Sequence, residues 1–146
     1  LPINGAGQGP TQVRLLSRTA PVSGTFDRLL NAERAKSGAP ELRSHAPLDA
    51  VAQAHALDMQ SRGYLAHLSP EGLRADARVR AAGVTTCGTS EVLAQGRDSY
   101  AQTFADWMVS PGHKAAMLDP SMHNYGIGRA GNIWAMVLVR PCPVSG

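Results

Sequence analysis

No apolar run in this 146-residue chain approaches the length of a membrane span, so a bilayer-crossing helix is not expected. The opening residues, LPINGAGQGPTQVR, lack the charged-then-apolar layout of a signal peptide. Either the chain was never exported, or its signal has been removed. Lysine is nearly missing, with two residues against twelve arginines. Those arginines are scattered instead of forming the basic stripe that nucleic-acid binding requires, so no nucleic-acid partner is expected. Arg74, Arg78 and Arg80 come nearest to a cluster and read as a solvated helix face. A net charge of +3 leaves room only for weak attraction to an anionic surface. Internal repeats and low-complexity tracts are absent as well.

Cysteine is equally sparse. Cys87 lies in the turn-rich VTTCGTS and Cys142 in RPCPV, and neither has a second cysteine at the spacing of a zinc knuckle. The two either remain as thiols in a cytosolic protein or pair across 55 positions. A small Pro- and Gly-rich chain favours pairing, which implies an oxidising compartment such as periplasm or extracellular space.

The residues that are present describe one folded domain: 43% hydrophobic content with 17% charge is a globular balance, and the length suffices for one core. Residues 1–20 show no sustained period and read as an extended arm, leaving 21–146 as the domain. Helical spacing of Phe26, Leu29 and Leu30 predicts a helix from about Thr25 to Lys36. A second, from about Leu48 to Arg62, carries the inner stripe Leu48, Val51, Ala52, His55, Ala56 and Met59. Ser69-Pro70 signals a third helix from about Pro70 to Ala82, with Leu73, Val79 and Ala82 inward. Ser90 to Ala94 is β-compatible. Asp98 is placed to cap a helix over Ser99 to Val109, and Ser110-Pro111 starts a short one reaching Leu118. Tyr125-Gly-Ile-Gly and Asn132 to Arg140 form a hairpin, and the apolar run Ile133 to Val139 implies a strand covered on both faces. Helices around a few short strands make a layered α+β domain.

Chemistry concentrates in three blocks, YLAHLSPEG, SEVLAQG and FADWMVSPGHKAAML, which hold His67, Glu91 and His113. Two imidazoles and a carboxylate suit zinc with one position open for water, which the metal would acidify. The same three could instead form a hydrogen-bonded cluster without metal. His55 falls on an apolar stripe and reads as a core residue; His45 and His123 read as surface. Ser69 and Ser110 stand before prolines at helix starts, where capping accounts for them. Trp107 and Trp134 read as core and cleft-wall aromatics.

Taken in order, LLNAERAKSGAPELRSHAPLDAVAQAHALDM, HLSPEG, EVLA, W-x-x-SPGHKAAML, YGIG and the last strand resemble the CAP superfamily. This is the SCP, or cysteine-rich secretory, antigen 5 and pathogenesis-related 1, domain, here in its short bacterial form over about Phe26 to Val139. The resemblance implies a three-layer α-β-α sandwich with a central antiparallel sheet. It also implies a cleft in which His67 and His113 are the two histidines and Glu91 the acid, with zinc or another divalent ion as the cofactor. Two departures stand out. Ser110 occupies the place of a second acid found in animal-type members, and Val92 replaces the Asn of the Gly-Glu-Asn block. The function implied is that of a secreted or periplasmic monomer whose cleft binds a small apolar or lipid-like ligand, or a protein partner. The alternative is a metal-dependent hydrolase acting on peptide or cell-wall bonds through the same cleft.

Overall fold

The computed structural model describes residues 20–143. In chain order the elements are α1 (Ala20–Ser37), β1 (Arg43–Ser44), α2 (Ala46–Arg62), α3 (Ala75–Ala81) and β2 (Gly88–Gln95). They continue with α4 (Tyr100–Met108), α5 (Pro111–Met117), β3 (Asn124–Ala130) and β4 (Ile133–Arg140). The expected arm, apart from Ala20 at the head of α1, lies outside the described residues.

The sheet runs β1-β3-β4-β2. Its three long strands are antiparallel, Glu91 facing Val137 and Ile127 facing Met136 across the pairs, while the two-residue β1 adds a parallel edge beside β3. Strand side chains alternate between faces, and β4 uses the alternation fully. Trp134, Met136 and Leu138 join Phe26, Leu30, Phe104, Trp107 and Met117 in the core under α1, α4 and α5. Ile133, Ala135, Val137 and Val139 join Leu48, Ala52, Ala56, Met59 and Val79 in the core under α2 and α3. Every residue from Ile133 to Val139 is buried, so the sheet is the middle layer of a three-layer α-β-α sandwich.

One contact seats α2. A Cβ on Gly126 would be driven into the backbone of Leu48 and Asp49, and one on Gly128 into that of Ala52 and Gln53. Only glycine lets helix backbone lie directly on strand backbone here. Since β1 pairs with Asn124 and Tyr125 alone, the rest of the β3 edge needs other partners. Asp49 Oδ1 accepts from the Ile127 N–H at 2.9 Å, and Gln53 accepts from the Arg129 N–H at 2.9 Å while donating to the Arg129 carbonyl at 2.7 Å. Spaced i and i+4, these two side chains act as a substitute strand.

The Asn-x-x-Arg segment of α1 is a second tie. Asn31 exchanges two hydrogen bonds with the Leu42 backbone. The fully buried Arg34 donates to the carbonyls of Pro40, Met117, Asp119 and Met122, stapling the loop before β1 to the end of α5.

Two local expectations are corrected. Ser69-Pro70 opens a turn and not a helix: the Gly72 N–H bonds back to the Ser69 carbonyl at 2.8 Å, Gly72 adopts φ 86°, and α3 starts only at Ala75. The left-handed glycine forbids continuation of a right-handed turn, which leaves Leu73 and Ala82 exposed while Val79 is buried. At α4 the cap is Ser99, whose side chain accepts from the Gln102 N–H, in place of Asp98.

The cysteines are joined. Cys87–Cys142 ties the start of β2 to the residues after β4, where the Cys87 N–H also donates to the Arg140 carbonyl at 2.9 Å.

Two stability measurements test these constraints. Gly126→Ala is expected to lower unfolding free energy by about 3 kcal/mol in denaturant titration, because backbone and not a flexible side chain must yield. Reduction of Cys87–Cys142 is expected to cost about 4 kcal/mol, the loop-entropy value for a closure of this length. A loss under about 1 kcal/mol in either case would contradict the assigned constraint.

Candidate functional site

Glu91 lies at the centre of β2, opposite Val137 on the α2–α3 face of the sheet. Its side chain is 2% exposed, so its charge needs partners. It has two. The Arg78 guanidinium, from α3, donates Nη1–H to Oε2 at 2.9 Å and reaches Oε1 with Nη2 at 3.4 Å. The His67 ring is 2.8 Å from Oε1 through Nδ1. A carboxylate only accepts, so Nδ1 carries the proton and donates, and in the neutral ring the lone pair is left on Nε2. His67 is itself 49% exposed: a buried acid orients a solvent-facing imidazole.

The loop that carries His67 is held from four sides. His55, buried on α2, donates Nε2–H to the Ala66 carbonyl at 2.8 Å. Arg78 Nη2 donates to the carbonyl of His67 at 2.6 Å. The Tyr64 hydroxyl donates to Asp58, and Arg62 bridges Asp58 and Glu71. Inside the loop, Ser69 Oγ accepts from the Leu73 N–H at 3.1 Å. Burial combined with the Asp58 bond pushes the Tyr64 hydroxyl up to about 12, and the Arg62 and Tyr64 hydrogen bonds hold the Asp58 carboxyl below its ordinary range.

Of the three site residues expected from the sequence, His67 and Glu91 are joined by a hydrogen bond, while His113 stands on α5, which itself contacts β2. His113 is the third residue of α5, whose buried Met117 belongs to the core on the other face of the sheet. Along β2 the period of two sends Val92 into that core and Glu91 to the opposite face. Among the described residues no hydrogen bond or ion pair joins His113 to either partner, and no group of three His, Cys, Asp or Glu side chains is placed to hold a metal ion.

Arg78 is the residue that sequence reading missed, having been assigned to a solvated face. Its side chain is 13% exposed. The available signal was its place three residues after the buried Ala75 and one before the buried Val79, which puts it on the inner side of α3. Its Nε is buried without a partner among the described residues. His55 is the core residue expected; His45 and His123 are exposed. Ser110 occupies the N-cap position of α5, yet its side chain makes no capping hydrogen bond. Both tryptophans are core residues with paired indoles, Trp107 Nε1–H donating to the Leu93 carbonyl and Trp134 Nε1–H to the Arg97 carbonyl.

His55 also sets a pH dependence. Burial is the largest influence on it and lowers its pKa from the ordinary 6.5, outweighing the Ala66 hydrogen bond and the Glu91 charge. A base with a depressed folded pKa binds fewer protons folded than unfolded, so stability rises with pH across the interval between the two values. Stability is therefore expected to hold above pH 6.5 and to fall below it by up to about 1.4 kcal/mol per pH unit. His55→Gln, which retains a donor for Ala66, is expected to flatten that slope in denaturation curves measured from neutral to acidic pH. An unchanged slope would assign the effect elsewhere.

Comparison with known proteins agrees with this architecture. The profile of the Cysteine-rich secretory protein family, CAP, matches residues 28–132. YkwD of Bacillus subtilis (strain 168) is 29% identical over 113 residues, 76% of this chain and 44% of YkwD. An extracellular protein containing a SCP domain from Bacillus anthracis str. Ames superposes with a TM-score of 0.77 at 21% identity, over 88% of this chain and 45% of that one. An outer surface protein from Borrelia burgdorferi superposes with a TM-score of 0.76 at 18% identity, over 87% of this chain and 97% of that one. This chain thus spans less than half the length of YkwD and of the Bacillus anthracis protein, and the two structural likenesses speak to the fold. With the profile covering most of the sandwich and its order of motifs intact, the chain belongs to the cysteine-rich secretory protein (CAP) family.

Proposed function

We propose that this domain is a secreted binding module that takes a small apolar or lipid-like ligand in the groove between α2 and α3. The observation that carries the reading is the lining of that groove. Ala50, Val51 and Ala54 from α2 face Leu73, Ala81 and Ala82, and Arg78 is the one charged residue among them. Its volume is about 370 Å³, within the range of small-molecule sites. Small side chains on both walls leave room for a ligand's own apolar surface, whose removal from water would drive binding at about 25 cal/mol per Å².

Surrounding features support it. Leu57 on α2 and Leu65, Leu68 and Leu73 on the following loop are all between 41% and 49% exposed. Of these, Leu73 lines the groove itself, and exposed apolar surface of this kind marks contact sites when it is contiguous. The disulfide and the extracellular and outer-surface descriptions of the structural neighbours support secretion. Hydrolysis of peptide or cell-wall bonds has less support. Ser69, the serine nearest His67 along the chain, is buried and its oxygen accepts from the Leu73 N–H within the turn, a structural role.

Titration with a fluorescent fatty-acid analogue tests the proposal. The native domain is expected to bind it, and Ala54→Phe, which fills the groove from an exposed helical position, is expected to weaken binding about tenfold or more. The thermal midpoint of that variant should shift by no more than about 2 °C. Equal affinity in the two proteins, or no binding by the native domain, would overturn the assignment.

A further inference from the structure

We infer that Arg78 takes the cation's role in the His67–Glu91 site, so that the carboxylate serves to orient His67 and does not hold a divalent ion. Three observations converge on this.

The first is the occupancy of the carboxylate. Oε2 is taken by Nη1 of Arg78 at 2.9 Å, and Oε1 by Nδ1 of His67 at 2.8 Å with Nη2 of Arg78 at 3.4 Å. The guanidinium fork fits both oxygens, the arrangement in which arginine binds a carboxylate best.

The second is spacing. A tetrahedral zinc bridging an imidazole nitrogen and a carboxylate oxygen, each about 2.0–2.1 Å from the metal, would hold those two atoms roughly 3.3 Å apart. His67 Nδ1 and Glu91 Oε1 are 2.8 Å apart, a hydrogen-bond distance, and the Nδ1 lone pair that a metal bridging these two atoms would need is replaced by an N–H. Entry of zinc would require loss of that proton, separation of the two groups and retreat of a fixed positive charge.

The third is the anchoring of Arg78. The same Nη2 that reaches Glu91 donates to the His67 carbonyl at 2.6 Å, so the guanidinium cannot swing aside without releasing the loop. His113, the remaining ligand expected of a three-residue set, is carried by a helix packed into the opposite core.

What remains is a metal-independent site. With Nδ1–H committed to Glu91, Nε2 of the half-exposed ring, which has no hydrogen-bond partner among the described residues, keeps its lone pair. Beside it lies a pocket of about 250 Å³ that His67 and Glu91 line together with Arg74, Ala75, Asp76 and Thr89. The nitrogen is thus an oriented acceptor for a hydroxyl or N–H of a small polar group, held by an acid–imidazole pair that needs no metal to fix its tautomer.

Zinc titration by calorimetry on tag-free protein, paired with nitrogen-detected NMR of the histidine rings, tests this. The native protein is expected to show no Glu91-dependent zinc site tighter than about 100 µM, and His67 is expected to be protonated at Nδ1. Arg78→Met is expected to bind zinc about tenfold more tightly than the native protein, with the gain lost in the double variant carrying Glu91→Gln as well. Three results would each overturn the inference: one zinc bound by the native protein below about 10 µM and released by Glu91→Gln, an Nε2–H tautomer at His67, or a folded Arg78→Met with no gain. Should Arg78→Met fail to fold, the two measurements on native protein still decide.

Discussion

The direct seating of α2 on β3 governs the rest of the molecule. Gly126 and Gly128 remove the side chains that would hold helix and strand apart, and Asp49 and Gln53 then satisfy a strand edge that β1 is too short to reach. Once α2 is fixed at that distance, His55 faces inward and grips the Ala66 carbonyl. The loop that follows is thereby brought over β2, where His67 meets Glu91. The site is therefore a downstream result of backbone contact on a different strand. Asp49 bears a cost in this arrangement: burial raises its pKa above the ordinary carboxylate value, against the opposing pull of the Ile127 N–H.

Two arginines, Arg34 fully buried and Arg78 largely so, show two ways of accommodating a guanidinium inside a protein. Arg34 is surrounded by backbone carbonyls from two distant loops and meets only dipoles at hydrogen-bond range. Burial lowers its pKa, with the Asp119 charge acting in the opposite direction. Arg78 is instead matched to a full negative charge on Glu91. The first arrangement splices chain segments together; the second places a charged pair beneath a solvent-facing ring. Breaking a buried pair of this kind leaves an uncompensated charge, which costs about 3–5 kcal/mol, so the pair is also a structural commitment.

Much of the fold was legible because it rests on periodicity and punctuation. The α2 stripe from Leu48 to Met59 and the continuous apolar strand at Ile133 to Val139 were readable from spacing alone. The order of short motifs pointed to the family. What spacing could not supply was the side of the sheet from which each functional residue approaches. Glu91 and His113 sit in blocks that look equivalent along the chain, yet the two-residue period of β2 sends Glu91 toward α3 while α5 packs on the other face. Arg78 was misread for a related reason. Its helix begins five residues after Pro70, beyond a left-handed glycine, and a wrong start rotates the inferred inner face. Ser69-Pro70 carries the same local signal as Ser110-Pro111; the glycine at 72, two residues after the proline, makes the first a turn while the second heads α5.

The alternation along β4 sends its one aromatic residue and its methionine to the same face. Trp134, Met136 and Leu138 go to one layer, and Ile133, Ala135, Val137 and Val139 to the other. The sandwich is consequently lopsided, with a thick, aromatic filling beneath α1 and α4 and a thin one where α2 lies nearly flush with the strands. Divergence in this lineage should be unequal on the two sides: bulk can be traded among several large neighbours in the deep layer, whereas at Gly126 and Gly128, where α2 meets β3, a single added methyl group has nowhere to go.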